Sequence, residues 1–173
     1  MSILIVCESQ FGNTRAVADA IAEGLMRDNG SEGSPDVSVV PVDEAPLEIP
    51  GDVSSLLVGG PTHAFSMTRP ETRADAVKQG APGGHEALGI REWIERVTPR
   101  PDLPVVTFDT RIHVKLIPGS AAKKAAEALR DRGFARAERG KTFWVESTPG
   151  PLAAEELDKA RAWGVDLANE LAW

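Results

Sequence analysis

The chemically most useful residues of this 173-residue chain fall early, in Glu8-Ser9-Gln10-Phe11-Gly12-Asn13-Thr14. They follow an apolar run, Ile3 to Cys7. They precede a segment in which Val17, Ala20, Ile21, Gly24 and Leu25 recur at helical spacing. A strand, a tight loop and a helix therefore succeed one another without a spacer. Such a loop presents backbone N–H groups at the positive end of a helix, which suits an anion and most often a phosphate. Gly12 lets the backbone approach a ligand closely, and Ser9, Asn13 and Thr14 add short polar side chains. The same residue types serve any βα turn and helix cap, so the loop alone leaves both readings open. Neither G-x-x-x-x-G-K-[ST] nor G-x-G-x-x-G occurs here. That argues against a nucleotide-splitting P-loop and against the usual dinucleotide fingerprint.

The elements that must position this loop alternate along the whole chain. Asp36 to Val42 predicts a second strand, with Pro41 hinting at a sheet edge. Ser54 to Val58 predicts a buried third strand that ends at Gly59-Gly60-Pro61. A long polar stretch, Thr62 to Ala87, follows; within it Pro70 to Lys78 predicts a polar helix with proline at its first position. Ile90 to Val97 has helical spacing. Leu103 to Phe108 predicts a fourth strand, about Ser120 to Arg132 a helix, and Thr142 to Val145 a fifth strand. The last helix runs from about Ala153 to Leu171, with Leu157, Val165, Ala168 and Leu171 on its apolar stripe. This alternation predicts one α/β domain over 1–173, a doubly wound parallel sheet with helices on both faces. Ligands of such sheets bind beyond the carboxyl ends of the strands. Three loops leave those ends: Glu8 to Thr14, Gly59 to Met67, and Phe108 to Pro118.

Composition narrows the function. The net charge of −7 argues against nucleic acid and anionic membranes as partners, and suits docking to a basic face on another protein. Cys7 is the only cysteine, so an internal disulfide is impossible; its place in an apolar strand predicts a buried, inert thiol. The three histidines show no metal-ligand spacing. No apolar run approaches a membrane span, and Met1 leads straight into strand residues without a signal peptide, so the expected location is the cytoplasm. Trp93, Phe143, Trp144 and Trp163 are expected in the core.

With these loops in place the chain resembles the flavodoxins. Ser9-Gln10-Phe11-Gly12-Asn13-Thr14 matches the family's FMN-phosphate loop, [TS]-x-[TS]-G-x-T, except at Phe11. Gly59-Gly60-Pro61-Thr62 and Phe108-Asp109-Thr110 lie where the family has its flavin-binding loops. The resemblance covers nearly the whole chain and implies five parallel strands in order 2-1-3-4-5. It also implies FMN, its phosphate among the N–H groups of Gln10 to Thr14 and helped by the Ser9 and Thr14 hydroxyls. The flavin ring would lie between Pro61, Thr62, His63, Ala64 and Phe65 on one side and Phe108, Asp109, Thr110, Arg111 and His113 on the other.

The sequence departs from the family pattern in three places. Phe11 replaces a hydroxyl residue and so removes one side-chain donor. Tyrosine is absent altogether, whereas flavodoxins commonly sandwich the flavin between aromatics; Phe65 is then expected on one face and Ile112 or His113 on the other. The Thr62 to Ala87 stretch is longer than in short flavodoxins, with Arg69, Arg73 and Lys78 giving it a positive bias. It is either a surface excursion or a lid or docking element beside the flavin. The implied function is a monomeric, FMN-binding electron-transfer protein that works with redox partner proteins, a reductase and an acceptor. The alternatives are an FMN-dependent NAD(P)H:quinone-type oxidoreductase and a flavin-free interaction module. A phosphoacceptor receiver domain is excluded, because it needs an Asp where the third strand ends in Gly59-Gly60.

Overall fold

The computed structural model describes residues 2–27, 34–114 and 118–170. In β1 (Ser2–Cys7) successive side chains point to opposite faces. Ile3, Ile5 and Cys7 pack into one apolar cluster and Leu4 and Val6 into another. A strand buried on both faces is the mark of a sheet covered by helices on each side. The first cluster is completed by α1 (Asn13–Leu25) and α5 (Glu156–Glu170), through Val17, Ile21, Trp163 and Leu167. The second is completed by α3 (Ile90–Arg96) and α4 (Ala121–Arg132), through Trp93, Ile94, Ala125 and Leu129.

The remaining strands are β2 (Asp36–Pro41), β3 (Val53–His63), β4 (Ser66–Met67), β5 (Val105–Ile112) and β6 (Ala137–Val145). Five of them form the parallel sheet in order β2-β1-β3-β5-β6. Apart from numbering, this is the expected 2-1-3-4-5 order, and β2 with Pro41 is an edge. The additional strand is β4, which pairs antiparallel with the end of β3 (Thr62 with Met67, His63 with Ser66). The helix expected over Pro70 to Lys78 is α2 (Pro70–Lys78), with proline in its first turn.

Several boundaries differ from the sequence reading. β3 runs on through Gly59-Gly60 to His63, because neither glycine has a Cβ to block its neighbours. A Cβ on Gly59 would stand 2.1 Å from the Phe108 ring, and one on Gly60 2.8 Å from Ile90. β5 runs on to Ile112, so Phe108, Asp109, Thr110 and Arg111 are strand residues and not a loop. β6 begins at Ala137. The buried stripe of α5 is Ala160, Trp163, Gly164, Leu167 and Ala168, with Leu157 and Val165 only partly covered. Leu171 and most of the expected breaker at Asn29–Pro35 lie outside the described residues. Trp93, Phe143 and Trp163 are core; Trp144 is half-buried and carries both Arg111 and His113 on its ring. Among the described residues no helix is long and apolar enough to cross a membrane.

Candidate functional site

Beyond the carboxyl ends of β1, β3 and β5 lies a cavity of about 270 Å³. The first loop contributes Ser9, Gln10, Phe11, Asn13 and Thr14 to its wall. The end of β3 contributes Pro61, Thr62, His63 and Ala64, and the end of β5 contributes Thr110 and Ile112. Three segments far apart in sequence thus converge, and they do so at the crevice where ligands of open α/β sheets bind.

The loop turns into α1 at Gly12, which serves as N-cap with φ +88°. A left-handed backbone of this kind costs an L-residue free energy that glycine avoids. No side chain caps the helix from this position, and a Cβ built on Gly12 would meet nothing within 4 Å. Ser9 Oγ accepts the Arg15 N–H at 3.2 Å. The N–H groups of Asn13 and Thr14 have no hydrogen-bond partner among the described residues. Free first-turn donors beside an open space fit a phosphate. Gly12 itself faces a neighbouring, more open hollow with Arg15, Pro41, Gly80 and Pro82, which shares Ser9, Gln10 and Phe11 with the cavity.

The side-chain donors of the loop are more committed than the sequence suggests. The Thr14 and Thr110 hydroxyls are hydrogen-bonded to each other at 2.7 Å. Asn13 Nδ2 donates to the Pro149 carbonyl at 3.2 Å. The cradle for an anion is therefore chiefly backbone.

Besides Gly12, five of the expected site residues lie elsewhere. Phe108 is buried beneath Gly59 and meets Trp163 edge-on, with ring centroids 6.5 Å apart. Asp109 is buried, where Oδ2 accepts from Thr62 Oγ1 (3.0 Å), Ser120 Oγ (2.6 Å) and Ala122 N (3.0 Å). It ties the end of β3 to the start of α4. Arg111 lies over the Trp144 ring at 5.4 Å and donates to the Gly119 carbonyl. His113 stacks on the same ring at 4.5 Å. Phe65 sits at the tip of the β3–β4 hairpin, 56% exposed. Ala64 and Phe65 both have positive φ, +46° and +69°, a pairing that two-residue hairpins normally give to Asn and Gly. Phe65 is thus held at the rim and not in the wall, and of the two residues expected opposite it only Ile112 faces the cavity.

The residues that sequence reasoning missed are Thr72, Asp75 and Ala76 of α2 and its C-cap Gln79, together with Val145 at the end of β6 and Thr148 beyond it. The three on α2 and its C-cap fall at helical spacing on one face, so this helix is a wall of the cavity and not a surface excursion. The polarity of α2 hid it, since its buried residues are only Arg73 and Ala76.

Two ionisable groups beside the cavity are shifted. Burial pushes the Glu8 carboxyl up, against hydrogen bonds from Thr68, the Ile90 N–H and Gln10 and the charge of Arg73. Burial lowers His63, with the positive charge of Arg73 adding to it and a bond to the Thr72 backbone opposing. The cavity wall therefore presents a neutral imidazole near neutral pH.

The arrangement defines an open, doubly wound α/β domain whose first loop turns into α1 at a glycine N-cap, the flavodoxin fold. Solved structures agree. The chain superposes on a flavodoxin from the domain Archaea with a TM-score of 0.64 and 20% identity, covering 100% of both chains. It superposes on oxidised flavodoxin 1 from Bacillus cereus with a TM-score of 0.67 and 16% identity, covering 99% of this chain and 100% of that one. For the flavodoxin of Streptococcus pneumoniae TIGR4 the values are 0.58 and 17%, covering 98% and 99%. No protein-family model matches the sequence, and no curated protein matches it either.

Proposed function

We propose that this chain binds FMN and works as an electron-transfer protein. The observation that carries the reading is the convergence of a glycine-capped helix N-terminus with the ends of β3 and β5 around one cavity. The N–H groups of Asn13 and Thr14 would hold the phosphate. Pro61, Thr62 and His63 from one side and Ile112 from the other would border the flavin ring. When bound, FMN supplies the capacity to take up and pass on electrons. The protein binds and orients it, and α2 limits the access of water along one side. His63, neutral near pH 7, offers either a donor or an acceptor toward the cavity. Among the described residues the cavity lining includes no Lys or Arg, so the backbone N–H groups at the start of α1 would be the principal phosphate donors there. The net charge of −7 suits recognition by basic faces of a reductase and an acceptor.

A second reading, an FMN-dependent oxidoreductase that takes electrons directly from NAD(P)H for a quinone-type acceptor, draws on α2, which adds a wall where a substrate would otherwise meet solvent. Rapid reduction of the FMN-loaded protein by NAD(P)H alone favours it; reduction only with an added reductase favours the carrier.

Titration of the apoprotein with FMN, followed by flavin fluorescence, tests the proposal with Gly12→Asp in parallel. Saturable quenching that is lost in the variant supports it. The absence of saturable quenching by the native chain overturns it.

A further inference from the structure

Arg73 is fully buried, at 0% exposure, on a helix whose one other buried residue is Ala76. Its guanidinium makes four contacts that moor α2. Nη2 donates to Glu92 Oε1 at 2.7 Å, Nε to the Glu86 carbonyl at 2.7 Å, and Nη1 to Thr68 Oγ1 at 2.8 Å. Nη1 also stands 3.9 Å from Glu8 Oε1. Glu8, itself 2% exposed, opens the phosphate-type loop. Its Oε1 accepts from Thr68 Oγ1 and from Gln10 Nε2 (3.1 Å), and its Oε2 from the Ile90 N–H (2.9 Å). The space is closed on purpose-built terms: a Cβ on Gly89 would lie 2.1 Å from Arg73 Nη1 and 2.6 Å from Glu8 Oε2. The chain of bonds thus runs from Gln10 in the cavity wall, through Glu8 and Thr68, to Arg73 at the middle of α2.

A nine-residue helix with almost no apolar stripe is not stable by itself. Of its two buried side chains, Ala76 and Arg73, only Arg73 makes side-chain hydrogen bonds to residues outside the helix. From that anchor α2 presents Thr72, Asp75, Ala76 and its C-cap Gln79 to the cavity.

We propose that Arg73 and Glu8 are positioning residues of the ligand site: their buried, Thr68-bridged contact locks α2 as a fixed wall and holds Gln10 against it, so that ligand affinity depends on a pair that never touches the ligand. The inference rests on the FMN reading for the identity of the ligand, but the wall itself is tested without it.

The test compares native protein with Arg73→Met, Arg73→Lys and Thr68→Val. Thr68→Val removes the bridging hydroxyl and leaves the Arg73 and Glu8 side chains in place, so it reports should Arg73→Met fail to fold. Two readouts are taken: amide hydrogen exchange across α2, α1 and α4 in ligand-free protein, and the FMN dissociation constant by fluorescence. In Arg73→Met, α2 amides should exchange at least about tenfold faster while those of α1 and α4 keep their native rates, and FMN binding should weaken about tenfold. Arg73→Lys should recover part of both effects, and Thr68→Val should show smaller changes in the same direction. Unchanged α2 exchange in both Arg73→Met and Thr68→Val overturns the wall. Released α2 with native FMN affinity overturns the link to binding. Failure of the native chain to bind FMN overturns the functional reading and leaves the exchange measurement to decide the wall.

Discussion

Thr14 and Thr110 join the first turn of α1 to the end of β5 through a buried hydroxyl–hydroxyl hydrogen bond of 2.7 Å. Both residues also line the cavity. The bond therefore sets the spacing between the N-terminal end of α1, proposed to hold a phosphate, and the strand that would border a flavin. Replacing either residue by Val leaves the other hydroxyl buried without its partner. Each single variant should lose about 1–2 kcal/mol of stability, and the double variant less than the sum. Urea unfolding of the four-member cycle gives the coupling directly; additive losses would show that the bond contributes nothing of its own.

The position of α1 depends further on Gly24, which crosses α5 at Gly164. A Cβ on Gly164 would stand 2.3 Å from the Ile21 carbonyl oxygen and 2.9 Å from Gly24 Cα, and one on Gly24 would stand 2.1 Å from the Arg161 carbonyl oxygen. All three obstacles are backbone, so a methyl group can enter only if the helices move apart. Gly164→Ala should cost about 1–3 kcal/mol despite its better helix propensity. A denaturant midpoint equal to or above that of the native chain would refute the close crossing.

The alternation of strands and helices was legible because apolar runs such as Ile3–Cys7 and Ser54–Val58 are short and bounded by turn residues. The Pro70–Lys78 helix was legible from its proline alone. Asp109 and Thr110 misled because polar residues at a strand end read as loop, and their partners, Thr62, Ser120 and Thr14, are brought in only by the fold. Arg73 read as surface charge for the same reason: Glu8 and Glu92, which allow its burial, lie far away in sequence. Trp144 read as core because alternation along a strand does not tell which face is only half covered. The first loop and the end of β3 were legible as cavity residues; the α2 face was not, since Thr72, Asp75 and Gln79, three polar residues at helical spacing, resemble any solvated helix.

His63 makes stability depend on pH in a stated direction. Its folded pKa lies below the ordinary 6.5, chiefly through burial and then through the charge of Arg73. Between the folded value and 6.5 the unfolded chain binds more protons than the folded one, so stability rises with pH through this window. It is complete above 6.5 and is lost as pH falls toward the folded pKa. Glu8, raised by burial, acts in the opposite sense above pH 4.5. His63→Gln should therefore flatten the rise in unfolding free energy toward pH 6.5, and a proton NMR titration of the native protein should place this imidazole below a histidine in unfolded peptide. A normal titration midpoint for His63 would contradict its place in the cavity wall.

Asp109 carries the junction at the far side of the cavity. One of its oxygens accepts three hydrogen bonds, from Thr62, Ser120 and the Ala122 N–H at the start of α4, while Oδ1 is buried without a hydrogen-bond partner among the described residues. A carboxylate at a helix N-terminus interacts favourably with the helix dipole, and that interaction offsets part of the cost of its burial. Asp109→Ala leaves three donors without their acceptor and should destabilise the protein by about 3 kcal/mol. Asp109→Asn keeps an acceptor oxygen and should lose less than half as much. Thr62 should also lose its fixed position at the cavity, so FMN affinity should fall in Asp109→Ala more than in Asp109→Asn. Urea unfolding and FMN titration of the two variants check both orders; equal losses from Ala and Asn would mean that the negative charge, and not the geometry of acceptance, holds this junction together.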